Sequence, residues 1–157
     1  MDRGAPWMRD RLLWAILIGG AVAAVAIGAA FVTASRTPLN PTPGPTPTVD
    51  LGNPTYGSPG DASVAVSGVS RDVDLGQFRV TLNDISGATT VFVQTLQVGT
   101  LFSNGSAAVT FEDGAPAGTL NVGDTFRLLN MPTSHTYSLL LEYTPSSRTV
   151  ASVTINL

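Results

Sequence analysis

Three patterns of apolar and polar positions follow one another along this chain. Residues 12–34, LLWAILIGGAVAAVAIGAAFVTA, form an unbroken apolar run of 23 residues with no charge. At about 1.5 Å per residue a helix of that length reaches roughly 34 Å, enough to cross a bilayer core of about 30 Å. Residues 35–60 then lose all periodicity. They hold Pro38, Pro41, Pro43, Pro45, Pro47, Pro54 and Pro59, seven of the chain's eleven prolines. Alternating Thr-Pro excludes helix and favours extended polyproline II. From residue 61 onward apolar and polar residues alternate with period two. ASVAVSGV puts Val64 and Val66 on one face, and QFRVTLNDI does the same with Phe78, Val80 and Leu82. TTVFVQTLQV, AAVTFE and TFRLL follow. In TYSLLLEY the shared face is Tyr137, Leu139, Leu141 and Tyr143; in TVASVTINL it is Ala151, Val153 and Ile155. Such alternation, rich in β-branched residues and broken by Gly, Pro, Asn and Asp, predicts strands joined by turns.

The expected architecture is mainly β. An immunoglobulin-like antiparallel β-sandwich of about seven strands is preceded by one N-terminal transmembrane helix and a Pro/Thr-rich stalk. The boundaries are 1–11 for a cytoplasmic N-terminus, 12–34 for the transmembrane helix, 35–60 for the linker and 61–157 for the extracytoplasmic β-domain. Arg3, Arg9 and Arg11 precede the apolar run and only Arg36 follows it closely, which orients the N-terminus to the cytoplasm. Trp7 and Trp14 sit on that flank, where indoles favour the headgroup level. Val32-Thr33-Ala34 before Ser35 also fits a small-residue cleavage site, so a signal peptide cut after Ala34 is the alternative to a permanent anchor. Within the run Gly20, Ala24 and Gly28 recur every fourth residue, a helix-packing stripe that lets two helices approach closely. The expected partners are therefore the membrane, a second copy through this helix, and an extracellular ligand of unknown kind.

Composition narrows the chemistry. Charged residues make up 12% of the chain and the net charge is −3. The basic residues are scattered, so no nucleic-acid patch is expected. With no cysteine there are no disulfides or thiolate metal sites. His135 is the only histidine and is expected as an exposed loop side chain; no G-x-S-x-G elbow accompanies it. Glu112, Asp113 and Asp124 bracket GAPAGTLNVG. Such acidic loops can hold calcium, but EF-hand spacing is absent and solvated loops are expected, as for Asp72, Asp74 and Asp84. No catalytic residue, metal site or cofactor is expected, and the chain does not read as an enzyme. Asn104-Gly105 suits a type I′ hairpin turn, and Asn104-Gly105-Ser106 is also an N-glycosylation sequon.

FEDGAPAGTLNVGDTFRL and TYSLLLEYTPSSRTVASVTINL resemble the final β-hairpins of archaeal type IV pilin-like proteins. In that family an acidic, glycine-rich loop leads to a Gly-Asp strand start, here Gly123-Asp124. The last hairpin turn is matched by Pro145-Ser146-Ser147-Arg148. The layout of apolar helix before β-domain is similar too. The resemblance implies a filament subunit serving adhesion or a surface appendage. In this chain the prolines from Pro38 onward separate helix from domain. The first expectation is thus a membrane-anchored, surface-exposed β-sandwich with a non-catalytic binding or structural role, the second a pilin-like subunit, and the last, disfavoured by the missing acid-base and metal groups, an extracytoplasmic enzyme.

Overall fold

The computed structural model describes residues 44–157. The expected transmembrane helix 12–34, its stripe Gly20, Ala24 and Gly28, and the cleavage position Ala34 lie outside the described residues.

Ten strands form: β1 (Val49–Leu51), β2 (Thr55–Tyr56), β3 (Ala62–Val69), β4 (Phe78–Asp84), β5 (Thr89–Thr95), β6 (Gly99–Asn104), β7 (Ala107–Glu112), β8 (Thr125–Leu129), β9 (Thr136–Tyr143) and β10 (Arg148–Asn156). The only helical turns among the described residues are two three-residue 3₁₀ turns, Leu75–Gln77 and Thr144–Ser146. No described helix is long and apolar enough to cross a membrane. One antiparallel sheet has the order β1-β3-β8-β7-β6, with β2 also on β3; the other has the order β10-β9-β4-β5. The chain crosses between sheets at β3–β4, returns at β5–β6, and crosses again at β8–β9.

Alternation drives this arrangement. Along β9 every second residue is buried, Tyr137, Leu139, Leu141 and Tyr143, and along β4 the buried set is Phe78, Val80 and Leu82. A strand sends successive side chains to opposite faces, so one apolar face per sheet is enough to build a core between two sheets. Val64, Val109, Phe111, Phe126 and Leu128 supply the opposing face. Phe111 and Phe126 meet with centroids 4.8 Å apart and rings tilted by 49°. Each such side chain contributes about 1.5–3 kcal/mol by leaving water. Residues 44–157 form one compact unit around this core.

All seven expected strand segments are strands, and three more join them. β6 precedes the expected hairpin. β1 and β2 come from the stretch read as the end of the stalk: Val49 is buried and pairs with Val69, and Tyr56 pairs with Ala62. Prolines disguise this segment, but proline is tolerated along a sheet edge, where an N–H has no ladder partner to lose. The β6–β7 turn also departs from expectation. Asn104 pairs with Ala107, so Gly105 and Ser106 are the two loop residues. Gly105 has φ +62, whereas neither Asn104 nor Ser106 has a positive φ. That is the type II′ pattern, with glycine first, rather than an Asn-Gly type I′ turn.

Candidate binding cleft

The two ends of the sandwich differ in what they carry. The described chain enters at one end. There Arg71 Nη2 donates to the Pro45 carbonyl (2.6 Å) and to the Tyr143 hydroxyl (3.2 Å), and its guanidinium lies 5.8 Å from the centroid of the Tyr143 ring. Thr46 Oγ1 donates to Ser146 Oγ (3.0 Å), and Thr48 and Ser70 exchange two hydrogen bonds of 3.0 Å. The entering strand is thereby fastened across both sheets. β9 runs from this end to the other over eight residues, a rise of about 25 Å.

At the far end, loops 85–88, 105–106 and 130–135 converge. β4 stops at Asp84, whose Oδ1 accepts the Gly87 N–H (2.9 Å) and so closes a tight turn. Its Oδ2 lies 2.7 Å from His135 Nδ1. The two residues are 51 positions apart and meet because β4 and β9 are neighbours, with Asp84 opposite Tyr137. The expectation of an exposed His135 is therefore corrected: its side chain is 36% exposed, paired to an Asp84 side chain that is 12% exposed. The Gly87 N–H holds the Asp84 carboxyl below its ordinary value against the opposing effect of partial burial, and His135 acts in the same direction as Gly87. Burial raises the Tyr137 phenol, and the nearby Asp84 charge raises it further.

Between these loops and the seam of the two sheets opens a cleft of about 410 Å³. Val91, Phe102 and Met131 form apolar walls, and Asp84, Asn104 and Asn130 stand at the polar rim. Asn130, at φ +50, is held by two contacts: its N–H donates to Asp61 Oδ1 (2.8 Å) and its Nδ2 to the Ser106 carbonyl (3.1 Å). Apolar walls with a few convergent polar groups are the usual make-up of a ligand site. Asn104, the sequon residue, is exposed at the cleft mouth.

No family model matches this chain, and no curated protein matches it. Its chemistry is read from its own residues. Asp84 and His135 supply two members of a hydrolytic triad, but among the described residues no hydroxyl hydrogen-bonds to His135 Nε2, where a nucleophile would have to sit. Ser86 Oγ instead accepts the Thr136 N–H (2.9 Å).

The acidic loop expected to be solvated has a different role. Asp124 is 1% exposed. Its two carboxylate oxygens accept the N–H groups of Gly114 (2.8 Å) and Asn121 (2.7 Å), and Asp113 Oδ2 accepts that of Gly118 (2.6 Å). These carboxylates close the 113–124 loop on itself. Glu112 pairs with Arg127 at 3.1 Å on the surface, and Asp72 and Asp74 are exposed. Among the described residues no group of three metal-ligating side chains comes together. Sequence reasoning missed the cleft because its walls come from five separate segments. The one signal for it is a short run of turn residues, Asn130-Met131-Pro132, directly before the strongest alternating strand.

Proposed function

We propose that this protein is a membrane-anchored, surface-exposed β-sandwich with a non-catalytic binding role, which presents the cleft between β4, β6 and β9 to an extracellular ligand. The observation that carries the reading is polar: the chain enters the domain at one end, and the cleft lies at the other. A tether joined at the entry end leaves the cleft end free. Residues 12–34 are the proposed tether, with the arginines before them inside the cell. The domain is immunoglobulin-like in this reading. Support comes from the placement of β3 beside β8 in one sheet and of β4 between β9 and β5 in the other, with β1 and β10 as outer strands.

Protease added to intact cells tests the topology. It should remove the β-domain; complete protection until lysis would reverse the orientation. The binding role is tested by a ligand screen that reads thermal stabilisation of the domain. A genuine cleft ligand loses its effect when Ala107, at the cleft wall, is replaced by tryptophan, while a ligand unaffected by that change binds elsewhere.

The pilin-like alternative draws support from one feature, a sheet edge left open on β5. It predicts surface filaments that Ala24→Leu abolishes, by separating helices packed through Gly20, Ala24 and Gly28, while Val25→Leu leaves them intact.

A further inference from the structure

Residues 85–111 contain no Asp, Glu, Lys, Arg or His, and no Pro. This stretch of 27 residues makes β5, β6 and all of β7 except its last residue, Glu112. β5 and β6 are the terminal strands of their sheets, so two free edges lie side by side without a single charge. The Phe92 and Phe102 rings stack across the seam between them, 5.6 Å apart at 12°. Exposed edges are ordinarily blunted by lysine, proline or bulges. Here only bulges are present. On β6 the bulge falls at Leu101, in mid-strand. On β5 it falls at Val91 and leaves Phe92–Thr95 regular.

The direction of the free groups on β5 follows from the ladder. Leu96 N–H donates to the Phe78 carbonyl (2.9 Å). Along an antiparallel strand, residues alternate between bonding the neighbour and facing away from it. Gln94 and Phe92 therefore bond β4, while Val93 and Thr95 turn their N–H and C=O groups to the open side. Val93 is 54% exposed and Thr95 is exposed.

We propose that β5 pairs antiparallel with β5 of a second copy of this chain about a twofold axis at Gln94, joining two four-stranded sheets into one. This register sets Val93 opposite Thr95 of the other copy and Thr95 opposite its Val93. All four residues then sit in hydrogen-bonded pairs, and Gln94 faces its own counterpart. A register centred on Val93 brings the bulged Val91 opposite Thr95, and one centred on Thr95 runs past the strand end. The occupant follows from charge. A partner strand bearing charges finds none on β5 to answer them, whereas an uncharged edge is complementary to itself. The pair is isologous, so it closes as a dimer. It does not depend on the cleft or on the membrane tether.

The chain has no cysteine, so single cysteines report pairing cleanly. The experiment compares full-length Gln94→Cys with full-length Val122→Cys under mild oxidation in the membranes of the expressing cell. Val122 is 65% exposed on the 113–124 loop, away from the edge. Gln94 would face its counterpart in a non-hydrogen-bonded pair, where Cβ atoms come closest, to about 4.5 Å, at the upper end of the spacing a disulfide spans. Gln94→Cys should form covalent dimer several-fold more than Val122→Cys, and adding Val93→Lys should bring it down to the Val122→Cys level. Thr95→Lys should do the same, and it replaces Val93→Lys if that variant loses the protease resistance of the folded domain. Equal crosslinking at positions 94 and 122 overturns the proposal. So does crosslinking at 94 that survives a folded edge-lysine variant.

Discussion

Removing the Asp124 carboxylate tests how much of this domain depends on one buried cap. Asp124 is 1% exposed, and each carboxylate oxygen accepts one backbone N–H, from Gly114 and from Asn121. A hydrogen bond to a charged group contributes about 1.5–3 kcal/mol, and a buried donor left unmet loses its hydration as well. Asp124→Ala strips both donors and should cost about 3–5 kcal/mol, a large share of the 5–15 kcal/mol usual for a domain. Asp124→Asn keeps one acceptor oxygen but turns an NH₂ toward the other donor, so it should cost about 2 kcal/mol. For a domain of this size the alanine variant should melt about 12–20 °C lower. The assay is urea unfolding of residues 44–157 followed by far-UV circular dichroism and tyrosine fluorescence, both tryptophans being at positions 7 and 14. Asp74→Ala, at an exposed position, is the control and should stay within about 0.5 kcal/mol of wild type. An Asp124→Ala variant within about 1 kcal/mol of wild type, with an unchanged denaturant slope, would refute the claim that this carboxylate holds the loop.

Residues 44–157 expressed alone should be folded, β-rich and cooperative in unfolding, because both faces of the core lie within them; a molten or unfolded fragment counts against this. Gly60→Ala should lower stability by at least about 1 kcal/mol, since Gly60 has φ +86 and an added Cβ would stand 2.5 Å from the Met131 carbonyl oxygen; thermal melting reads the loss. Arg71→Ala should free the Gly44–Thr48 segment, seen as faster amide exchange and earlier proteolysis there, with little change at β9. Stability should fall at both extremes of pH. Asp84 titrates below 3.8 in the folded state, so its contribution is present above that value and is lost as pH falls through the lowered pKa. Tyr137 titrates above 10.0 when folded, so stability drops as pH rises past 10.0 toward the raised pKa. Asp84→Asn should flatten the acid limb of a melting-temperature profile, and an unaltered limb would show that other carboxylates set it.

The sequence by itself determined the sheet faces. Phe78, Val80 and Leu82, or Tyr137, Leu139, Leu141 and Tyr143, are legible as buried because a strand flanking one core needs an apolar residue at every second position and nowhere else. It did not determine β1 and β2, which are too short and too flanked by proline to show a period. Their pairing follows only from the free edge that β3 offers. β6 escapes the same test because the bulge at Leu101 shifts its alternation by one residue. The polar sites were the least legible. Nothing in FEDGAPAGTLNVGD separates a solvated aspartate from Asp124, which is buried because two backbone N–H groups of its own loop point at it. Asp84 and His135 meet only because β4 and β9 pair at a register that brings their ends together. Alternation is a local property, set by the pleat of one strand. A cleft, a capped loop or an ion pair is a property of which strands become neighbours, and that is decided by the packing of the whole sandwich.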